Sequence, residues 1–173
     1  MSNTLNVREM EEKDIPLIID YWFTATPEHL YNMGVDPSKL PEKEEFKSVL
    51  RTQLALEYPD KKGYALIWEF DRKPVGHCNV NPLFYGDYGY MHLHIWYPEV
   101  RQQGFGIELV KRSLPFFFDK LQLKKLFCEP YALNPAPNKL LEKVGFTFVK
   151  QHITTPGSIT FEQSCNLWEI TKP

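Results

Sequence analysis

Across 173 residues there are only three cysteines, Cys78, Cys128 and Cys165, widely spaced and without a CxxC pair. An odd, scattered set of thiols builds neither a disulfide framework nor a zinc cluster, so the expectation is a reducing cytoplasm and no metal. An excess of one charge is lacking too: 20 Lys and Arg are mixed along the chain with 22 Asp and Glu, for a net charge of -2. With no basic block there is nothing to neutralise nucleic-acid phosphates or anionic lipid, and neither is expected as a partner. No apolar run approaches the roughly 18 residues of a spanning helix, and Met1-Ser2-Asn3-Thr4-Leu5-Asn6 lacks the charged-then-apolar pattern of an export signal.

What is present suits one globular domain over residues 1–173, with 43% hydrophobic and 24% charged residues and length enough to bury a core without staples. Leu5 to Met10 reads as a strand, and Asp14-Ile15-Pro16 opens a helix to about Phe23. Thr24 to Leu40, with Pro27, Gly34 and Pro37, reads as a loop. Pro41 to Glu57 sets Phe46, Val49, Leu50 and Leu54 on one helical face. Tyr64 to Phe70 and Val75 to Val80 pair as a hairpin about Asp71-Arg72-Lys73-Pro74.

The fourth strand, Tyr90 to Tyr97, puts Tyr90, His92, His94 and Trp96 on one face and Met91, Leu93, Ile95 and Tyr97 on the other. A helix from about Gly106 turns Ile107, Val110, Leu114, Phe117, Phe118 and Leu121 inward, with Pro115 predicted to kink it. Lys125 to Glu129 is a strand, Asn134-Pro135 to Val144-Gly145 a helix, and Phe146 to Val149 and Thr160 to Ile170 the last strands. This order predicts an α/β (α+β) fold: a mixed, mostly antiparallel twisted sheet of about seven strands, helices on both faces, and a parallel step at the central helix.

The corner between the fourth strand and that helix carries Arg101-Gln102-Gln103-Gly104-Phe105-Gly106-Ile107. Two residues without side chains at a strand-to-helix turn let backbone N–H groups crowd around an anion, with the helix dipole adding partial positive charge. Glycine at such a turn also simply relieves backbone strain, and spacing alone does not decide between the two.

Arg101-x-x-Gly104-x-Gly106 after an apolar strand resembles the acyl-CoA signature of the Gcn5-related N-acetyltransferase (GNAT) superfamily. A second match is Asn134 with Leu140-Leu141-Glu142-Lys143-Val144-Gly145-Phe146, the asparagine eleven residues before Gly145, which is similar to the pattern of the RimJ/RimL-like branch. The resemblance implies a GNAT-like acyl-CoA N-acyltransferase fold and an acetyl-CoA-dependent N-acetyltransferase, with acetyl-CoA as cosubstrate and an amine, on a small molecule or a protein N-terminus, as acceptor. It further implies that the backbone of Ile95 and Trp96 pairs with the pantetheine arm, that Gln102, Gln103, Gly104, Phe105, Gly106 and Ile107 hold the pyrophosphate, and that Arg101 belongs to the cofactor site, as does Asn134 through a hydrogen bond.

Two positions depart from the resembled pattern. The serine three residues after the asparagine is Pro137, and the tyrosine that protonates the leaving thiolate in many relatives is Leu141. A thiolate of pKa about 8.5 leaves tolerably well without an acid. The acceptor is the harder half, since an amine of pKa near 10 costs about 4 kcal/mol to deprotonate at pH 7.

The resemblance implies Glu129, five residues before Asn134, His92 and His94 as the groups that remove that proton. Each has a structural reading beside it: Glu129 as a strand-end carboxylate, the histidines as satisfied polar residues of a half-buried face. Cys128 beside Glu129 suggests a covalent intermediate, although an apolar-strand cysteine is usually inert filler. The sequence therefore supports direct attack in a ternary complex. It leaves open a non-catalytic acyl-CoA-binding module and a small-molecule (aminoglycoside or siderophore-type) N-acyltransferase, and says nothing of oligomeric state.

Overall fold

The computed structural model describes residues 4–101 and 103–173. Its strands are β1 (Leu5–Glu9), β2 (Tyr64–Phe70), β3 (Lys73–Phe84), β4 (Tyr88–Ile95), β5 (Lys125–Cys128), β6 (Thr147–Thr154) and β7 (Gln163–Thr171). They form one seven-stranded sheet in the order β1-β2-β3-β4-β5-β7-β6, with helices α1 (Ile15–Thr24), α2 (Pro27–Asn32), α3 (Lys43–Ala55), α4 (Phe105–Pro115) and α5 (Pro135–Val144). Every pairing is antiparallel except β4 with β5, where α4 is the crossover that a parallel step requires.

The two faces of the sheet bury separate cores. On one, Leu66, Trp68, Cys78 and Met91 meet Leu109 and Val110 of α4 and Leu141 and Val144 of α5. The Trp68 indole ties the layers by donating to Ser113 Oγ at 2.9 Å, which donates in turn to the Leu109 carbonyl. On the other face, Ile67 and Trp96 pack under Ile18, Tyr21 and Trp22 of α1, with Leu30 of α2 and Leu50 and Leu54 of α3.

Several boundaries differ from the sequence reading. The stretch taken as a loop from Thr24 to Leu40 contains α2, because the Thr26 hydroxyl accepts from His29 N and Pro27 fits the first turn. The helix after the glycine corner keeps α-helical turns only to Pro115 and then widens to π-type turns over Phe116–Lys120. Pro115 brings no N–H to the ladder, which is the disruption expected of it. Strand β6 runs past Val149 to Thr154, so His152 lies within the sheet. Strand β5 stops at Cys128, leaving Glu129 just outside the ladder.

That last boundary shapes the molecule. β4 pairs with β3 as far as Ile95 opposite Gly76, but with β5 only through Tyr88, Gly89 and Tyr90. Beyond Glu129 the chain follows β7 instead: Asn166 N donates to the Pro130 carbonyl, Ala132 N donates to the Ser164 carbonyl, and Tyr131 bridges Cys165. Pro130 has no N–H to give. The two parallel strands therefore splay, and β4 from Met91 to Ile95 faces a gap.

Candidate active site

Trp96 N donates to the Val75 carbonyl, which makes 75 and 96 a hydrogen-bonded pair. The alternation of an antiparallel ladder then turns the N–H and C=O of Ile95 and Leu93 the other way, into the gap. Of the two residues expected to present their backbone there, Ile95 does so and Trp96 does not, its N–H being spent on β3. Leu93 takes its place. The Ile95 carbonyl accepts from the Arg101 guanidinium, at 3.1 Å from Nε and 3.0 Å from Nη2.

Arg101 has no carboxylate partner among the described residues; its other neighbour is His29 Nε2 at 3.5 Å. Both line a cleft of about 370 Å³ walled by Leu17, Tyr21, Trp96 and Tyr97. An arginine without a counter-charge is a fitting group for an anion, and here its guanidinium faces the cleft over α1 and α2 while the chain runs on to a helix start.

That helix start is α4. Gly104 is its N-cap at φ +78°, a conformation glycine adopts freely, and it brings no side chain to cap the first turn. A Cβ on Gly104 would meet nothing within 4 Å, so backbone conformation alone asks for glycine. Gly106 is different: it is buried, and a Cβ there would come within 2.6 Å of Leu140 Cδ1 on α5. Its missing side chain lets α4 and α5 approach, a packing reason that the motif did not reveal. Phe105 stacks on Phe70 at 5.0 Å and fixes the first turn against β2, Ile107 packs into the core, and the Gln103 amide donates to the Glu99 carbonyl. Gln102 lies outside the described residues.

Asn134 is the N-cap of α5, and its side-chain amide caps nothing. The structural staple there is Asn138, which donates to the Tyr131 and Asn134 carbonyls and accepts from Asn166 and the Trp168 indole. Leu141, where a tyrosine was expected of relatives, is a fully buried core residue.

The histidine-bearing face of β4 divides into two clusters. His94 stacks on His77 with ring centroids 4.6 Å apart, its Nδ1 is 3.2 Å from the Tyr21 hydroxyl, and Trp22 packs edge-on at 4.9 Å. His77 accepts from the Trp96 indole at 2.7 Å, and burial pulls its pKa down to about 3. His94 is likewise held well below the usual imidazole range, by burial and then by the neighbouring histidines. Both are therefore neutral, packed rings at pH 7.

His92 lies in the other cluster. Its Nε2 is 2.8 Å from the Asn81 carbonyl, which can only accept, so Nε2 carries the proton and Nδ1 a lone pair. Burial lowers its pKa, opposed by that hydrogen bond and by the charge of Glu129. Glu129 is 3.0 Å from His152 Nε2 across the sheet. His152 was missed in the sequence; its signal is the alternation of an edge strand, masked by the polar Lys150 and Gln151. Cys128 and Cys165 are buried, and burial pushes their thiols up to about 12 and about 11, which removes them as nucleophiles.

An open, mixed seven-stranded sheet that splays at its one parallel step beside an uncapped helix start is the acyl-CoA N-acyltransferase fold. The acetyltransferase (GNAT) domain matches residues 4–147, and the chain belongs to that family. Comparison with curated proteins gave no match. Among solved structures, the chain resembles spermidine N-acetyltransferase from Vibrio cholerae in complex with CoA and spermine, with a TM-score of 0.77 and 19% identity over 96% of this chain and 95% of that one. RimL, a ribosomal L7/L12 alpha-N-protein acetyltransferase in complex with coenzyme A, also has a TM-score of 0.77, with 12% identity over 98% of this chain and 95% of that one. At such identities these likenesses establish the fold alone.

Proposed function

We propose that the chain transfers an acetyl group from acetyl-CoA to a primary amine by direct attack, in the manner of the RimJ/RimL-like branch. The observation that carries this reading is the gap beside β4, with the backbone of Leu93 and Ile95 turned into it and the uncapped start of α4 at its end. A peptide-like pantetheine arm can add to such an edge while its pyrophosphate takes the amide hydrogens at the start of α4. The side-chain amide of Asn134 is available to the same ligand.

On this reading the amine approaches from the histidine-bearing face. Its ammonium N–H breaks as His92 Nδ1 or the Glu129 carboxylate takes the proton. The nitrogen then attacks the thioester carbonyl, the C–S bond breaks as the surplus N–H proton of the adduct passes to water, and water protonates the thiolate, leaving the neutral amide and free thiol. His94, packed among Tyr21, Trp22 and His77, shapes the wall and takes no proton. In the Vibrio cholerae enzyme the partner is spermine, and in RimL it is a protein terminus. Both are primary amines, which is the acceptor class proposed here.

The test is release of free coenzyme A from acetyl-CoA in the presence of polyamines, N-terminal peptides and aminoglycosides. Amine-dependent release is expected; binding of acetyl-CoA without release on any amine would make this a carrier rather than a transferase.

A further inference from the structure

Glu129 follows the last residue of β5 and precedes Pro130, so no ladder from β4 holds it. Its side chain is nevertheless only 10% exposed. The groups that feel its charge are Tyr90 and His92 on β4, Cys128 on β5 and Cys165 on β7. None of these is a cation that fixes it. Its one ion-pair and side-chain hydrogen-bond partner among the described residues is His152, with Nε2 at 3.0 Å from Oε1. His152 is itself fixed opposite Cys165 in the β6–β7 ladder and is 27% exposed on the outermost strand.

We propose that His152 is a positioning residue for acetyl transfer: through its Nε2–H it engages Oε1 of Glu129 and leaves the other carboxylate oxygen for the amine proton at the mouth of the β4–β5 gap. The inference rests on the acetyltransferase reading above. A buried carboxylate with a single side-chain donor takes its orientation from that donor, and a hydrogen bond to a carboxylate is stronger than a neutral one. The ammonium N–H breaks and an O–H bond forms on Glu129; His152 keeps its own proton. On the same strand Phe148 reaches only the Trp168 ring and Gln151 only the Ser164 hydroxyl, both on the neighbouring β7, whereas His152 reaches past β7 to the end of β5.

The experiment compares His152→Ala, His152→Gln, Glu129→Gln and the double variant Glu129→Gln/His152→Ala, using the amine that the wild type turns over. His152→Ala should lower kcat about tenfold with KM for acetyl-CoA within about twofold, the size of a lost charge-assisted hydrogen bond. His152→Gln, whose amide can donate to the same oxygen, should recover most of that loss. In the Glu129→Gln background, His152→Ala should cost no more than about twofold further. Equal losses in the two His152 variants, fully additive effects, or an unchanged kcat each overturn the positioning role while the transferase reading stands. A wild type that acetylates no amine overturns both.

Discussion

His77 is 3% exposed and its Nδ1 lone pair is engaged by the Trp96 indole, so it stays neutral in the folded chain while an unfolded histidine protonates below about pH 6.5. Between its folded pKa of about 3 and that value the unfolded state binds the extra proton, so stability is lost as pH falls, by about 1.4 kcal/mol per pH unit for this one group. His94 adds to the same slope. His77→Asn, which keeps an acceptor for Trp96 but no titration, should flatten the fall in denaturation midpoint between pH 7 and pH 5; an unchanged slope would contradict this account. His92 is read differently, since its Nδ1 lone pair is not tied down. Where His92 rather than Glu129 takes the amine proton, its lowered pKa puts the acid limb of kcat below about pH 6.5 and His92→Gln reduces kcat about a hundredfold with acetyl-CoA binding unaltered; a loss under about threefold leaves the proton to Glu129. At this scale the sequence placed His92 and His94 on one face, which alternation makes legible. It could not separate them, because Tyr21, Trp22 and His77, distant in sequence, enclose only His94. Glu129 was singled out by the family resemblance, at its place before Asn134, whereas the contact of His152 with it spans β7 and is not carried by the alternation of β6 alone.

Among the elements, the decisive one is β5, whose four residues end before Pro130 and whose continuation pairs with β7. The strand itself was legible in the sequence; its departure from β4 was not, because splay depends on which neighbour captures the next backbone groups. The glycine corner was legible as a strand-to-helix turn, yet its two glycines serve different ends. Gly104→Ala forces a left-handed residue into open space and should cost about 1–2 kcal/mol in chemical denaturation with no change in packing. Gly106→Val drives a branched side chain against Leu140, and should lower stability further while loosening the contact between α4 and α5. Similar losses at both positions would mean that the corner is governed by conformation alone. The short α2 was legible in principle from Thr26-Pro27, but Gly34 and Pro37 nearby outweighed six residues of helix.

In the whole molecule, the proposed function puts the two reactants on opposite faces of the sheet. The helix start and its glycines belong to the face covered by α4 and α5, while His77, His92, His94 and His152 lie on the opposite face and His29 on the α2 helix over it. Seven strands, their mostly antiparallel order and helices on both faces all followed from periodicity and turn residues, whereas which side chains share a face across distant strands needed the register. On this reading both substrates meet through the gap, so Cys128→Ser should retain most activity and initial rates should show intersecting rather than parallel lines; parallel lines with an inactive Cys128→Ser would indicate a covalent intermediate. The claim beneath all of this is that acetyl-CoA lodges between β4 and β5 with its pyrophosphate on α4. Backbone amide NMR of the 20.4 kDa chain titrated with acetyl-CoA reads it directly. The account predicts the largest shifts at Leu93, Ile95 and Gly104 to Ile107, with smaller ones at Asn134; shifts confined to β1, β6 or α3, or none at millimolar ligand, would contradict it.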